Sequence, residues 1–401
     1  MDPVRNPFVP GAGTPPPELA GREEVLGKAR VALARIRQGR PSRSLMLFGL
    51  RGVGKTVLLN RIQENAESDG YRALLIEARE DRHLAALLLP PLRQLLLALD
   101  RLEGINEQVK RGLRVLKSFA SAVKLSLGDV EVSLDIDPEQ GAADSGDLEV
   151  DLADLLIAIA QAAASRNTAI AIIIDELQYV PERELGALIA AVHRITQKSL
   201  PLIMIGAGLP QLVGNAGKSK SYAERLFDFL EIGALPPDHA REALQEPVRR
   251  EGVVFTPGAL DRIIAITQGY PYFLQEWGYQ CWDMASASPI DLDLVQAATG
   301  EAVRKLDEGF FRVRWDRLTP KEREYLFAMA HLGPGPHRSA DIAQQLGHPV
   351  QGVAALRNGI IKKGMVYSPA HGETAFTVPL FDEYLKRMMP PESSGGDSET
   401  R

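Results

Sequence analysis

Residues 44–56 read SLMLFGLRGVGKT, and this stretch decides the fold. An apolar run of strand length leads into Gly49-Leu50-Arg51-Gly52-Val53-Gly54-Lys55-Thr56, which fits the pattern GxxxxGK[ST]. The glycines let successive backbone N–H groups point at phosphate oxygens, and the helix that follows adds its positive end. The stretch predicts a phosphate-binding loop whose contacts are Gly49, Gly52, Val53, Gly54, Lys55 and Thr56.

A second apolar run supplies carboxylates for the same site. Residues 169–176 read AIAIIIDE, a buried-strand pattern that ends in Asp175 and Glu176. Asp175 would join Thr56 in binding Mg²⁺, while Glu176 would orient the attacking water as a general base. Lys55 would reach the β- and γ-phosphates. The sequence therefore predicts a nucleotide–Mg²⁺ site with Lys55 and Glu176 as catalytic residues.

In the rest of the first two thirds of the chain, segments with helical spacing of apolar residues alternate with strand-like apolar runs. Helical spacing is found over 23–37, 56–66 and 152–165, and a leucine-rich helical region over 84–116 is predicted to break at Pro90-Pro91 and near Gly104. Strand-like runs follow at 73–77, 202–206 and 230–234. Strands separated by helices predict an α/β fold with a parallel sheet. From about Pro237 to Gly309 only helical spacing remains.

Composition excludes several classes of protein. The chain has 401 residues, 24% of them charged, with a net charge of −6, so it is not a polycation and nucleic acid could contact only a local patch. The single cysteine, Cys281, excludes an internal disulfide. No run approaches about 18 apolar residues, and the N-terminus lacks a signal-peptide core, so we expect a cytoplasmic protein without a membrane partner.

Residues 124–151 interrupt the α/β pattern. Apolar and polar residues alternate on both sides of Gly128-Asp129, which predicts a hairpin over 124–136. Nine acidic residues and no basic ones occur between Asp129 and Asp151. We interpret this insertion as a solvated hairpin and linker, and a docking site for a basic partner is the alternative.

The C-terminal region predicts three helices and a strand pair. Helices are expected at 319–332, 338–346 and 349–363, followed by strands at 365–368 and 373–378. This order describes a winged helix-turn-helix. Polar side chains of the third helix would contact DNA, with Arg and Lys at phosphates and Gln and Asn at adenine edges. The candidates are Gln351, Arg357, Asn358, Lys362 and Lys363. This module has eight basic residues and six acidic ones, so its positive charge is small for binding duplex DNA. Contact with a protein is therefore the alternative to contact with DNA.

The motifs together resemble those of the AAA+ ATPases, in the origin-recognition branch that overlaps the STAND signalling ATPases. The resemblance includes Leu19-Ala20-Gly21-Arg22-Glu23, similar to the family's GRE box, and Gly269-Tyr270-Pro271, similar to its lid segment. It covers roughly residues 8–310 and implies ATP as the ligand, with adenine near Pro10, Leu19 and Pro271. The implied domains are an extended arm (1–20), an AAA+ core with a P-loop sheet (21–236), an α-helical lid (237–311), a winged-helix domain (312–389) and a disordered tail (390–401).

The resemblance also implies self-association around the nucleotide. Arg225 lies where relatives carry an arginine that reaches a neighbouring subunit's phosphate, although a salt bridge is an equal alternative. Two sensor side chains of the family are missing, because residues 206–208 read Gly-Ala-Gly and the segment GYPYFL has no arginine. These losses favour an ATPase of low turnover.

Two hypotheses about function remain. In the first, the protein is an ATP-hydrolysing switch that couples nucleotide state and self-association to duplex DNA through its winged helix. In the second, it is a STAND-like signalling ATPase whose winged helix contacts a protein partner.

Overall fold

The computed structural model describes residues 1–11, 13–102, 106–127 and 136–389, with the backbone alone for 124–127. The chain forms two compact units. The sheet unit comprises Pro7–Glu251 and Thr267–Gln275. The C-terminal unit comprises Met1–Asn6, Gly252–Ile266 and the described residues from Glu276 onward.

The sheet unit is built on five parallel strands in the order β2-β3-β4-β1-β5. All residues of β3 are buried, as expected for a central strand that helices cover on both faces. The predicted α/β class is confirmed, although the last strand begins three residues earlier than predicted. The strands are β1 (Ser44–Phe48), β2 (Tyr71–Glu77), β3 (Ala169–Asp175), β4 (Leu202–Gly208) and β5 (Phe227–Glu231).

Nine α-helices lie wholly within the sheet unit's part of the described chain. They are α1 (Glu23–Arg37), α2 (Lys55–Ser68), α3 (Leu84–Asp100), α4 (Glu107–Leu127), α5 (Leu148–Ser165), α6 (Glu182–Gln197), α7 (Gln211–Ser219), α8 (Ala223–Leu226) and α9 (Pro237–Arg250). Alternate strand residues such as Ile170, Ile172 and Ile174 join the apolar core formed with α3 to α7. No helix among the described residues combines the length and apolar character needed to span a membrane.

The sheet order brings the two sequence motifs to one edge. Strand β4 lies between β1 and β3, so the loops after β1 and β3 flank the end of β4. The register pairs Phe48 with Gly208 and Ile174 with Gly206. Because parallel strands end at the same edge, residues 49–56 and the Asp175-Glu176 pair meet there.

The C-terminal unit contains the predicted helices and strands. Thr319 caps α14 through a capping box with Glu322, and Pro320 occupies the first helical position. Strand β8 pairs antiparallel with both β6 and β7. From Pro257 to Met388 the elements are α10 (Pro257–Thr267), α11 (Pro271–Met284), α12 (Leu292–Lys305), α13 (Arg312–Trp315), α14 (Pro320–Leu332), β6 (His337–Arg338), α15 (Ser339–Gln345), α16 (Val350–Lys362), β7 (Val366–Tyr367), β8 (Glu373–Phe376) and α17 (Phe381–Met388).

Two local predictions are wrong. Helix α3 continues through Pro90-Pro91, where the prediction placed a break. Buried leucines on both sides of the prolines, including Leu88, Leu89 and Leu92, pack into the core and stabilise the helix despite two missing N–H donors. Residues 124–127 continue α4 and are not a strand of a hairpin. The rest of the predicted hairpin, 128–135, lies outside the described residues, as do the predicted tail and a break at Gly104.

The acidic segment is not simply a solvated linker. Glu139 accepts hydrogen bonds from Arg111 and Arg114 on α4. Asp151, which is buried, accepts bonds from the backbone N–H groups of Ser145 and Gly146. These contacts connect the residues before α5 to the helices of the sheet unit. Counting the charges in the sequence cannot reveal that these carboxylates make such contacts.

Candidate nucleotide site

The glycine-rich loop has the backbone conformation that its sequence predicts. Gly52 and Gly54 have φ angles of 85° and 93°, in the region that favours glycine, and α2 begins directly after Gly54. Among the described residues, nothing accepts a hydrogen bond from the backbone N–H groups of residues 52–56. These open donors, with the positive end of α2, fit a phosphate.

The Lys55 ammonium is enclosed by this loop. Lys55 is only 7% exposed, and its Nζ donates hydrogen bonds to the carbonyl oxygens of Gly49 (2.9 Å) and Leu50 (2.8 Å). Burial lowers the pKa of Lys55 to about 8, while the nearby carboxylates of Glu176 and Asp175 act in the opposite direction. Carbonyl oxygens carry only partial charge, so an anionic phosphate is the partner that would neutralise this ammonium.

Thr56 and Asp175 meet across the end of β4. The Thr56 hydroxyl donates to Asp175 Oδ2 at 2.6 Å. Asp175 is 5% exposed, and burial raises its pKa above the usual range although the Thr56 hydrogen bond lowers it. One hydroxyl and one carboxylate fit Mg²⁺, which keeps several waters and takes further oxygens from substrate phosphates. The described residues contain no cluster of three or more acidic, His or Cys ligands.

Glu176 follows in a conformation that non-glycine residues seldom adopt. Its φ and ψ angles are 55° and 37°, and its backbone N–H donates to Asp175 Oδ1 at 2.8 Å. The Gln178 side-chain amide donates to Glu176 Oε2. The carboxylate therefore lies next to the Thr56–Asp175 pair, where a general base for water would be required.

Two further segments of the sheet unit border the loop. A Cβ added to Gly13 would lie 3.3 Å from Thr56 Cγ2, so the N-terminal arm runs beside the start of α2. The backbone N–H of Tyr272 donates to Gly52 O at 3.3 Å, which brings the predicted adenine contact Pro271 close to the loop.

Arg22 of the GRE box has a role that the sequence did not reveal. Arg22 is 8% exposed, and its guanidinium donates to the carbonyl oxygens of Val53 (3.1 Å) and Gly233 (2.6 Å). Arg22 thus links the loop to the segment after β5 through hydrogen bonds to both. The GRE-box resemblance singles out this residue, but the sequence does not indicate which groups it contacts.

The other predicted site residues are on α8 and in or next to α16. Arg225 is exposed on α8, and its side chain has no ion-pair partner among the described residues. On α16, the side chains of Gln351, Asn358 and Lys362 are exposed.

Arg357 and Lys363 are instead engaged within the C-terminal unit. Arg357 donates to Thr374 Oγ1 (2.7 Å), Ser368 Oγ (2.8 Å) and the Glu373 carbonyl (2.8 Å). Lys363 donates to Glu322 Oε2 (2.6 Å) and the Arg317 carbonyl (2.9 Å). Both cations connect α16 to neighbouring elements.

Gly49, the first glycine of the phosphate-binding loop, packs against the segment after β5, and a substitution there tests this contact. A Cβ at Gly49 would overlap the Ile232 carbonyl oxygen, and the Ile232 N–H donates to Phe48 O at 2.7 Å, which prevents the two segments from separating freely. We expect Gly49→Ala to destabilise the sheet unit by about 2 kcal/mol. Gly214→Ala on α7 is the control, since its Cβ would meet nothing within 4 Å. Thermal unfolding of both variants measures the difference, and equal melting temperatures would contradict the described contact.

The geometry defines a class of protein. A parallel sheet of order β2-β3-β4-β1-β5, with a phosphate-binding loop after β1 and an acidic pair after β3, is the P-loop α/β fold of the AAA+ ATPases.

Comparison with known proteins agrees with this class. Residues 18–205 match the family model of the AAA ATPase domain. Residues 308–385 match a family described as a domain of unknown function. No curated protein matches the sequence.

A solved structure shows the same fold at low identity. This Walker-type ATPase of Pyrococcus abyssi is 17% identical, with a TM-score of 0.53 over 93% of this chain and 97% of that one. Two further structures have lower scores. An Aeropyrum pernix Orc1 protein in complex with DNA is 16% identical, with a TM-score of 0.47 over 96% of each chain. A RuvB variant of Thermotoga maritima is 16% identical, with a TM-score of 0.46 over 92% of this chain and 96% of that one.

Proposed function

We propose that the protein is an ATP-binding AAA+ switch that hydrolyses ATP slowly and couples its nucleotide state and self-association to DNA engagement. The observation that carries this proposal is the Thr56–Asp175 hydrogen bond beside the buried Lys55 ammonium, under a loop with open N–H groups.

Binding would depend on the loop and on four side chains. The open N–H groups and Lys55 would receive the β- and γ-phosphates, whose charge compensates the buried ammonium. Thr56 and Asp175 would hold Mg²⁺, which would supply positive charge against the negative charge of phosphoryl transfer. Pro271 would pack against the base.

Turnover depends on Glu176. Its carboxylate would accept a proton from water that attacks the γ-phosphate, as a general base close to the substrate. The end of β4, residues 206–208, offers no polar side chain for the same water, and the segment 269–274 offers no arginine. Both features support a low rate, which suits a switch.

Self-association would complete the site. Arg225 is exposed and makes no ion pair among the described residues, so it is available to a neighbouring subunit. Stabilisation of transition-state charge by such an arginine raises turnover by about 10³–10⁵ in known cases. Turnover would then depend on protein concentration.

The C-terminal unit would respond to the nucleotide as a winged helix. In this proposal α16 enters the major groove, and Gln351, Asn358 and Lys362 contact DNA. Arg357 and Lys363 would support the helix through their internal hydrogen bonds, and reach phosphates only if those bonds exchange.

One observation favours the alternative of a STAND-like signalling ATPase. The exposed face of α16 carries Ala354 and Ala355 beside Gln351 and Asn358, and Lys362 is its only exposed cation among the described residues. Such a face suits a protein partner better than a polyanion.

A binding series separates the two functions. Duplex DNA is titrated with the wild-type protein in ATP and then in ADP, over a range of salt concentrations. We expect tighter binding with ATP, and a loss of about one unit of salt slope in Lys362→Ala because one phosphate contact is removed. Lys321→Ala, which removes an exposed cation from α14, is the control. Absence of DNA binding in both nucleotide states would refute DNA engagement and favour the signalling function.

A further inference from the structure

The turn after Glu176 fills the space where a side chain at the end of β4 would lie. A Cβ on Gly206 would overlap Leu177 Cδ1 and lie 3.1 Å from Met46 Sδ. A Cβ on Gly208 would lie 2.8 Å from Gln178 Oε1 and 3.0 Å from Leu212 Cδ2. The two glycines allow the turn at residues 177–179 to pack onto the strand.

Gln178 connects that strand end to the carboxylate of Glu176. Its Oε1 accepts a hydrogen bond from the Leu209 N–H at 2.9 Å, and its Nε2 donates to Glu176 Oε2. The two ends of an amide cannot be exchanged here, because a backbone N–H requires the oxygen and a carboxylate requires the NH₂ group. Both partners therefore determine the orientation of the Gln178 side chain.

The same turn is also attached to the phosphate-binding loop. Arg51, a loop residue, donates to the Tyr179 hydroxyl at 2.7 Å. The Tyr179 N–H donates to the Glu176 carbonyl at 3.0 Å and closes the turn. Residues 177–179 thus contact the loop through one side chain and the end of β4 through two others.

The backbone of Glu176 needs such support. A left-handed conformation costs a non-glycine residue about 1 kcal/mol or more, and it persists when neighbouring contacts determine it. The bond from Gln178 restrains the Glu176 side chain in addition to its backbone, and it leaves Glu176 Oε1 for another partner.

We propose that Gln178 is a positioning residue for ATP hydrolysis, which orients the Glu176 carboxylate in place of the polar side chain that β4 lacks. This inference rests on the proposed function, because it assumes that Glu176 acts on water. An amide is well suited to this role, because it donates to one carboxylate oxygen and cannot take the proton that the other oxygen accepts.

Two substitutions separate positioning from structural support. Gln178→Glu keeps the size of the side chain and its acceptor for the Leu209 N–H but removes the donor to Glu176. Gln178→Ala removes both bonds. Gln197→Glu, at the exposed end of α6, makes the same chemical change away from the site and is the control. For each full-length protein we would measure kcat, KM, the ATP dissociation constant and the melting temperature.

The expected result is a loss of kcat by about 10- to 100-fold in both Gln178 variants, with KM and ATP affinity within about twofold of wild type. Unchanged kcat in Gln178→Glu would overturn the inference while leaving the proposed function intact. A parallel loss of kcat, ATP affinity and melting temperature would also overturn it, because it would show a structural role. Absence of turnover in the wild-type protein would refute the proposed hydrolysis and this inference with it.

Discussion

Replacing Lys55 by alanine should abolish ATP binding at micromolar concentrations, through a loss of affinity of about a hundredfold or more. The reason is the enclosed position of the ammonium, whose partners are two carbonyl oxygens and which lies next to open backbone donors. A charge-assisted contact to phosphate contributes about 1.5–3 kcal/mol, and two phosphates share this lysine. Titration of a fluorescent ATP analogue into each protein measures the change.

The controls for this variant address charge and folding. Lys198→Ala removes an exposed lysine at the end of α6 and should bind ATP as the wild type does. Lys55→Met keeps most of the buried volume, so its melting temperature shows whether the fold survives without the ammonium. Full ATP affinity in a folded Lys55 variant would show that Lys55 does not bind the phosphates and that the phosphate site is wrongly assigned.

Glu176→Gln should retain ATP binding and lose turnover by about 10²- to 10⁴-fold, the contribution of a positioned general base. Glutamine preserves the size of the side chain and cannot accept the proton from water. It can still accept the Gln178 hydrogen bond through its oxygen, so the turn at residues 177–179 should persist. Phosphate release under saturating ATP measures the loss.

The matched control is Glu182→Gln, which makes the same change at the exposed start of α6. It should hydrolyse ATP at the wild-type rate. If Glu176→Gln and Glu182→Gln hydrolyse equally well, the general base lies elsewhere. If Glu176→Gln fails to bind ATP, the carboxylate contributes to binding and not to turnover alone.

The P-loop and the acidic pair could be predicted because local sequence determines them. The glycine spacing before Lys55 and the apolar run that ends at Asp175 each specify a strand and the residues that follow it. Parallel strands then bring the carboxyl ends of β1 and β3 to one edge of the sheet. The contact between Thr56 and Asp175 therefore followed from the fold class alone.

Contacts between distant segments could not be predicted in the same way. Gln178 gains its role from Gly208 and Leu209, which reach it only because β4 lies between β1 and β3. The sequence predicts Arg357 as a DNA contact, yet its guanidinium donates hydrogen bonds to Thr374 and Glu373 of β8 and to Ser368. At Pro90-Pro91, packing of the leucines keeps α3 helical although the prolines predict a break. At residues 124–127, α4 continues although the alternating sequence predicts a strand.

Nucleotide binding is tested most directly by equilibrium binding of ATP to the wild-type chain with Mg²⁺, followed by phosphate release from the same sample. We expect one ATP per chain and slow release of phosphate. A chain that binds no ATP, although it is folded by circular dichroism and melts cooperatively, would show that the glycine-rich loop is not a nucleotide site.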